Sequence, residues 1–309
     1  MKIAFLYAGQ GSQKVSMGKD LYEKYEEFKE IFDLLPENLR QIAFSGSIEE
    51  LSLTANTQPI MVAFAAGITK LLADKGIKPL MTAGLSLGEY SALNCAGVLD
   101  SKAAIEIAAY RGKQMELASE GVASKMAAVL QLDREILKQC CDEASEIGIV
   151  QIANYNCPGQ IVIAGEHKAV DYACELANEK GARKCVPLQV SGPFHTKFMH
   201  SAGNSLEQKF KEIKFSDICI PIVFNCIGRE KTKDETIQEL LVKQVQNSVY
   251  FEDSIRYMME KGIDTFVEIG SGKTLSGFVK KISTSLKTIS IEDVDTLNQG
   301  ISELEGLAI

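Results

Sequence analysis

The sequence predicts a mixed α/β fold, because short apolar runs typical of buried parallel strands alternate with longer helical stretches along its 309 residues. A tighter series of strands and helices, in a different order, occupies the middle of the chain. Together these observations indicate a core built on a parallel sheet, with a smaller subdomain inserted into it. The predicted core strands cover residues 3–7, 81–84, 220–225, 265–269 and 288–291.

Helical stretches with apolar residues at helical spacing separate these strands. One of them, at 101–119, is preceded by a cap: the side chain of Asp100 or Ser101 is expected to accept hydrogen bonds from the first helical amides. The remaining predicted helices cover residues 58–75, 87–96 and 251–261.

Residues 122–192 are predicted to form the inserted subdomain, because their order is strand, helix, two strands, helix and strand. This βαββαβ order is the pattern of ferredoxin-like domains. The larger α/β subdomain then consists of residues 1–121 and 193–309. The predicted elements of the insert are strands at 126–131, 149–154, 160–164 and 184–188 and helices at 133–145 and 168–180.

The composition excludes several classes of function. The formal net charge of −8 argues against nucleic acid as a partner, because binding phosphates requires a cationic surface. No apolar stretch reaches the ~18 residues that a membrane helix needs, and the first residues predict a strand rather than a secretory signal. We therefore expect a cytoplasmic protein that does not bind membranes. The 8 cysteines lack zinc-binding spacing, so we expect reduced, mostly buried thiols and no metal.

Ser86 is the predicted nucleophile. It is the serine of a G-x-S-x-G pattern, Gly84 to Gly88, which follows a predicted strand and precedes a predicted helix. The two glycines allow a sharp turn and close packing of the helix. The serine then projects at a helix N-terminus, where backbone amides favour negative charge.

His195 is the predicted base, because a serine nucleophile needs a neighbouring histidine and the chain has only 3. His167 lies in a polar loop at a helix start, where solvent is expected to surround it. His200 follows His195 by five positions and lies on a different face of a predicted helix. His195 lies where the inserted subdomain returns to the core, at an expected active-site cleft.

Arg111 is predicted to bind a carboxylate. It shares one stripe of the helix at 101–119 with small apolar residues, so its guanidinium must reach solvent or meet an anion. A guanidinium can hold a carboxylate through two parallel hydrogen bonds, which lysine cannot reproduce. This interpretation implies a dicarboxylic half-thioester, such as a malonyl rather than an acetyl thioester. The alternative is a surface arginine, or one paired with a carboxylate of the core.

A glycine-rich loop, Gly9 to Lys14, follows the first predicted strand. It begins like a dinucleotide-binding motif, but Lys14 replaces the third glycine, so nicotinamide binding is not expected. Gln10, or its backbone, could instead stabilise an oxyanion together with the amide of Leu87. The alternative is a simple tight turn. The segment 270–274 resembles the end of a phosphate-binding loop, but Val267 occupies its first glycine position.

Taken in order and spacing, these motifs resemble one family across nearly the whole chain, the malonyl-CoA:acyl-carrier-protein transacylases. The segments that carry the resemblance are Gly9-Gln10-Gly11-Ser12-Gln13, Gly84-Leu85-Ser86-Leu87-Gly88-Glu89-Tyr90-Ser91, Tyr110-Arg111-Gly112-Lys113, Asn156-Cys157-Pro158-Gly159-Gln160, Phe194-His195, Gln244-Val245-Gln246-Asn247-Ser248-Val249 and Glu268-Ile269-Gly270.

The resemblance implies a hydrolase-like parallel-sheet core with a ferredoxin-like insert. It also implies the roles given above for Ser86, His195, Arg111 and the amides of Gln10 and Leu87. In the family a glutamine backbone carbonyl orients the histidine, and Gln244 occupies that position here. Phe194 is similar to the malonyl-selective pattern of related polyketide acyltransferases, in which its bulk excludes an α-methyl group.

Four positions depart from the family pattern. Leu85 stands where most members carry histidine, and Phe251 stands where tryptophan is usual. Ser248 and Ser271 each replace a usual proline. None of the four is a proposed catalytic group, but Leu85 adjoins the nucleophile and bears on the shape of the acyl pocket.

The predicted function is transfer of a malonyl group from coenzyme A, through an ester on Ser86, to the thiol of an acyl-carrier protein for fatty-acid synthesis. No cofactor is expected, and a monomer is the default expectation. An α/β-hydrolase-type thioesterase would share the serine motif, although such enzymes place the histidine late in the chain. A polyketide-pathway acyltransferase would share the chemistry, and a non-catalytic scaffold that binds the carrier could share the fold.

Overall fold

A computed structural model describes residues 1–188 and 192–306 of the chain. Its strands are β1 (Ile3–Tyr7), β2 (Met81–Gly84), β3 (Ser124–Leu130), β4 (Val150–Cys157), β5 (Gln160–Glu166), β6 (Lys184–Leu188), β7 (Val249–Tyr250), β8 (Thr265–Ile269) and β9 (Lys287–Ile291).

Its α-helices, in chain order, are α1 (Lys19–Lys24), α2 (Glu26–Phe32), α3 (Glu37–Ser45), α4 (Ile48–Ser52), α5 (Thr54–Asp74), α6 (Gly88–Cys95), α7 (Ser101–Ser119), α8 (Arg134–Ala144), α9 (His167–Glu179), α10 (His200–Phe210), α11 (Ile237–Gln246), α12 (Phe251–Glu260), α13 (Thr274–Ile282) and α14 (Val294–Gly306). A short 3-10 helix, Lys197–Met199, precedes α10.

Contacts between Cα atoms divide the chain into two compact units. The first unit comprises Met1–Lys113, Ile213–Phe224 and the described part of Ile255–Ile309. The second comprises the described part of Gln114–Glu212 together with Asn225–Ser254. The second unit thus contains the described residues of the predicted insert and additional segments on both sides of it. The narrower boundaries at 122 and 192 stay a prediction.

The first unit is built on a parallel sheet of order β2-β1-β8-β9, which confirms the predicted α/β core. β1 lies between β2 and β8, and its residues from Ala4 to Tyr7 are almost fully buried. Such near-continuous apolar burial is expected of a parallel strand that is covered on both faces. Four of the five predicted core strands are present at or within one residue of their predicted ends.

The predicted strand at 220–225 is wrong. The chain there forms isolated bridge residues, including a parallel bridge between Thr82 and Ile222, but no strand. The amide of Thr82 donates to the carbonyl of Pro221 over 2.9 Å, and the amide of Val223 donates to the carbonyl of Thr82 over 3.0 Å. Because proline has no amide hydrogen, the segment cannot continue the ladder in that direction, although its apolar residues are buried.

The four predicted core helices are present as α5, α6, α7 and α12. α5 begins at Thr54, four positions before the predicted start, so Pro59 lies inside the helix. The carboxylate of Asp100 accepts a hydrogen bond from the amide of Ala103 over 2.7 Å, which confirms Asp100 as the cap of α7.

The second unit is built on a sheet of order β6-β3-β5-β4-β7. β3, β5, β4 and β6 pair antiparallel, while β7 joins β4 in parallel. The elements from β3 to β6 follow the predicted βαββαβ order, and α8 and α9 pack on the sheet around a core that includes Leu137, Ile163 and Ala173. The ferredoxin-like pattern is therefore confirmed.

None of the helices in residues 1–188 and 192–306 is long and apolar enough to cross a membrane. The cysteine side chains are thiols; Cys140, Cys141 and Cys157 are buried, and Cys219 is exposed. Within the described residues, no group of histidine, cysteine or acidic side chains is arranged to hold a metal ion.

Candidate active site

Ser86 lies in a tight turn between β2 and α6 and has a positive φ of 53°. This left-handed conformation is uncommon for residues other than glycine and is frequent at functional sites. The two flanking glycines are required by close packing. A Cβ on Gly84 would lie 1.9 Å from the carbonyl carbon of Gly88, and a Cβ on Gly88 would lie 2.1 Å from the carbonyl oxygen of Tyr7. The structure therefore gives the G-x-S-x-G segment the geometry of a nucleophile elbow.

Arg111 lies directly beside this serine, although α7 begins fifteen residues after it in the chain. Its side chain is fully buried, at 0% exposure. Nη1 donates to Oε1 of Gln58 over 2.9 Å, and Nη2 donates to Oγ of Ser86 over 3.3 Å. Burial lowers the pKa of Arg111, while the nearby Tyr90 and Glu89 act in the opposite direction. The predicted nucleophile and the predicted carboxylate-binding cation are thus adjacent.

The loop after β1 packs against the elbow. A Cβ on Gly9 would lie 2.5 Å from the carbonyl oxygen of Leu85, so only glycine permits this approach. Next to it, Nε2 of Gln10 donates to Oγ1 of Thr54 over 3.0 Å. Leu87 is buried and occupies the N-cap position of α6, where backbone amides have no partner within the helix. Both residues predicted to stabilise an oxyanion therefore lie within the first unit, on segments that meet at the elbow.

His195 lies in the second unit and is 4% exposed. Its φ is 62°, again in the left-handed region. Nδ1 lies 2.8 Å from the backbone carbonyl of Gln244 in α11. Gln244 is itself fully buried. Because the carbonyl can only accept, Nδ1 carries the hydrogen and Nε2 presents a lone pair, the form that a general base requires.

The other two histidines are exposed. Nδ1 of His167 lies 2.9 Å from a carboxylate oxygen of Asp171, one turn along α9. Nδ1 of His200 lies 2.9 Å from Oε1 of Gln246. His195 is therefore the one buried histidine of the three.

Phe194 immediately precedes His195 and is 7% exposed. Its amide donates to the carbonyl of Gly192 over 3.0 Å, and the hydroxyl of Thr196 donates to the carbonyl of Pro193 over 2.6 Å. These bonds form a compact turn that fixes the backbone on both sides of the histidine.

One of the four positions that depart from the family pattern has a clear local compensation. The hydroxyl of Ser248 donates to the carbonyl of Ile152 over 2.6 Å, a contact that proline could not make. Phe251 is fully buried at the start of α12. Leu85 is half-buried beside the nucleophile.

Sequence reasoning missed Gln58 and Thr54, which contact Arg111 and Gln10 respectively. Both lie on α5 at an i, i+4 spacing, so they share one face of that helix. The available signal was a group of polar residues, Thr54, Thr57 and Gln58, directly before a long apolar stretch of the same helix. It does not reveal a partner that is distant in the chain.

Comparisons with known proteins agree with this geometry. The family model described as "Acyl transferase domain" matches residues 4–296 of the chain. The malonyl CoA-acyl carrier protein transacylase of Bacillus subtilis (strain 168) is 43% identical over 309 residues, which cover 98% of each chain. The chain belongs to this transacylase family. Members of the family are acyltransferases, so the chain is an acyltransferase enzyme.

Solved structures of transacylases share this fold closely. The crystal structure of MCAT from Streptococcus pneumoniae is 44% identical, with a TM-score of 0.93, covering 98% of this chain and 100% of that one. PlMCAT, a malonyl-transacylase in complex with the type II PKS acyl-carrier protein AntF, is 34% identical with a TM-score of 0.94, covering 98% and 100%.

Proposed function

We propose that this transacylase transfers a malonyl group from coenzyme A to an acyl-carrier protein through an ester on Ser86. The observation that carries the proposal is the 3.3 Å contact between Nη2 of Arg111 and Oγ of Ser86. A buried guanidinium at this distance can hold the free carboxylate of a malonyl group while its thioester carbon lies at the nucleophile. An acetyl group has no carboxylate to make this contact.

In the proposed first step, Oγ of Ser86 attacks the thioester carbon of malonyl-CoA while Nε2 of His195 takes the hydroxyl proton. The carbonyl of Gln244 holds the hydrogen on Nδ1 and stabilises the imidazolium that forms. The amides of Gln10 and Leu87 stabilise the oxyanion, each contribution being worth about 2.7 to 4 kcal/mol. The tetrahedral intermediate then expels the coenzyme A thiolate, which takes the proton from His195.

In the second step the pantetheine thiol of the carrier gives its proton to His195 and attacks the malonyl ester. Ser86 leaves and regains the proton. A thioester is consumed and a thioester is formed, so the exchange is nearly balanced and requires no nucleotide, metal or redox cofactor.

The carrier is proposed as the acceptor because relatives are named for it and PlMCAT is bound to one. We further propose that the protein works as a cytoplasmic monomer supplying fatty-acid synthesis, and that Phe194 restricts substituents on the α-carbon of the acyl group.

The test is to incubate the protein separately with malonyl-CoA and acetyl-CoA, without a carrier, and to measure intact mass followed by peptide mapping. We expect a malonyl adduct on the Ser86 peptide, little adduct from acetyl-CoA, and discharge by an acyl-carrier protein. Ser86→Ala should form no adduct, whereas Ser285→Ala, at an exposed serine, should behave as wild type. Steady release of free malonate without transfer to a carrier would favour a thioesterase instead.

A further inference from the structure

Gln58 joins two parts of the site that the proposed mechanism uses. Its side chain is 1% exposed. Oε1 accepts from Nη1 of Arg111 over 2.9 Å, and Nε2 lies 3.5 Å from Oε1 of Gln10. One amide therefore accepts from the carboxylate-binding cation and donates to the loop that flanks the elbow.

The packing of two helices sets up this contact. A Cβ on Gly112 would lie 2.6 Å from the carbonyl oxygen of Thr54. Only glycine at position 112 therefore permits α7 to approach the first turn of α5 this closely. Arg111, the preceding residue of α7, thereby reaches Gln58, which lies one turn after Thr54. Thr54 also accepts from Nε2 of Gln10 over 3.0 Å, so one face of α5 holds both Arg111 and Gln10.

We infer that Gln58 is a positioning residue for malonyl selectivity, which aims the guanidinium of Arg111 at the acyl group on Ser86. This inference rests on the malonyl transfer proposed above. With Nη1 held by Gln58, the planar guanidinium has a fixed orientation, and Nη2 is directed at Oγ of Ser86. A bidentate contact with a carboxylate depends on that orientation, whereas attack on an acetyl thioester does not.

A neutral amide suits this role better than a carboxylate would. An amide oxygen orients the guanidinium without adding negative charge on the side that must attract a substrate carboxylate. The charge of Glu89 already acts to raise the pKa of Arg111, and Tyr90 lies under the guanidinium with its ring centroid 5.4 Å from the guanidinium carbon. A further carboxylate at position 58 would compete with the malonyl group for Arg111.

The test compares Gln58→Met with wild type, because methionine keeps the length of the side chain and removes both polar atoms. Loading of Ser86 is measured from malonyl-CoA and from acetyl-CoA, with kcat and KM separated. We expect the kcat/KM for malonyl-CoA to fall about tenfold to a hundredfold, mainly through KM, as for the loss of one hydrogen bond to a charged group. The value for acetyl-CoA should change less than about threefold, since no hydrogen bond to the acetyl group is lost.

A second variant, Gln58→Glu, keeps the acceptor and the volume but adds a charge beside Arg111, and it should also lower malonyl loading relative to acetyl loading. Gln41→Met is the matched control, since Gln41 is exposed on α3 of the same unit. Thermal unfolding of each variant verifies that it is folded. If Gln58 had only a structural role, the kcat/KM values for malonyl-CoA and acetyl-CoA would fall in proportion. An unchanged ratio of these two values in either folded variant would overturn the inference. Failure of wild type to form malonyl-Ser86 would contradict the proposed function instead.

Discussion

At the scale of single residues, the proposed mechanism uses the site of the first unit to bind negative charge at two separate places. Ser86 stands at the start of α6, where amides can stabilise an oxyanion. Arg111 approaches the same hydroxyl from α7. The reacting carbonyl and the distal carboxylate of a malonyl group require these two kinds of contact, so the substrate can be aligned at both ends.

Replacement of Arg111 is expected to change substrate preference rather than abolish chemistry. Arg111→Ala removes the buried partner of the substrate carboxylate, at about 3 to 5 kcal/mol, so malonyl loading should fall by roughly two to three orders of magnitude. Acetyl loading should rise relative to it. Rates of coenzyme A release with each substrate measure the effect. Lys113→Ala, two residues along α7 and exposed, serves as the control. Equal losses for both acyl groups would contradict the role.

The sequence is informative about residues whose chemistry is rare in the chain. His195 can be predicted as the base because only 3 histidines exist, and Ser86 can be predicted as the nucleophile because two glycines bracket it. Gln58 cannot be identified in this way, since a glutamine on an apolar helix has no distinctive pattern. The proposed role of Gln58 depends on the close approach of α5 and α7. Gly112 permits this approach, but its presence in the sequence does not predict it.

At the scale of elements, the elbow is a junction of β1, β2 and α6 rather than a property of one loop. The amide of Leu85 donates to the carbonyl of Tyr7 over 2.9 Å, and the amide of Gly88 donates to the carbonyl of Leu85 over 3.0 Å. Backbone atoms of three elements thus meet where Gly84 and Gly88 have no side chains. Any side chain there displaces backbone, which cannot move as a flexible side chain can.

Two glycine substitutions should therefore have opposite effects on stability. Gly84→Ala places a methyl group 1.9 Å from a backbone carbon and should destabilise by about 1 to 3 kcal/mol or more, with loss of Ser86 acylation. Gly277 lies in α13, and apart from its chain neighbours and the backbone of its own helix no atom lies within 4 Å of the carbon that alanine would add, so Gly277→Ala should stabilise by about 0.4 to 1 kcal/mol. Urea denaturation measures both. A neutral Gly84→Ala would show that the elbow can relax.

Glu268 illustrates a link between a strand and the helix after it. It lies near the end of β8, almost fully buried, and its two carboxylate oxygens accept from the amides of Leu275 and Ser276 over 2.9 and 2.7 Å. Burial raises the pKa of this carboxyl above its ordinary value of 4.5, more than these hydrogen bonds lower it. The folded state therefore favours the protonated form.

The raised pKa of Glu268 determines how its contribution to the free energy of unfolding changes with pH. A carboxyl with a raised folded pKa contributes stability that is present below the unfolded pKa and is lost as pH rises through the folded pKa. Glu268→Gln lacks this titration. The free energy of unfolding of the variant should therefore improve relative to wild type as pH rises from about 4.5 toward neutrality. Urea denaturation at both pH values measures the difference, and a drift in the opposite direction would refute the assignment.

The elements that sequence reasoning places correctly have strong local signals. The βαββαβ series and the strands of the parallel sheet follow from apolar periodicity and length. The errors occur where long-range packing decides. The segment at 220–225 has the apolar pattern of a strand, but Pro221 lacks the amide hydrogen that would extend its pairing with β2 in one direction. The helix α5 begins at Thr54 rather than at the predicted position 58, where its first residues pack against α7 and the loop after β1.

At the scale of the whole molecule, the chain passes between the two units four times. The parallel sheet takes β1 and β2 from the N-terminal third of the chain and β8 and β9 from its end. Its central pairing, β1 with β8, joins residues such as Leu6 and Glu268. The first unit cannot be completed until nearly the whole chain is available, whereas every described residue of the second unit precedes Ile255.

A chain that ends at Ser254 should therefore retain one unit and lose the other. It keeps all of the described second unit but lacks β8, β9, α13 and α14, so β1 would become an unpaired edge with an exposed apolar face. Hydrogen exchange should show native protection in β3, β4 and β5 and little in β1 and β2. A chain ending at Gly306 keeps every described element and should match the full chain. Native protection of β1 in the shorter chain would mean that half of the parallel sheet is stable by itself. Loss of that protection, together with loss of Ser86 acylation, would show that the nucleophile elbow depends on strands from the far end of the chain.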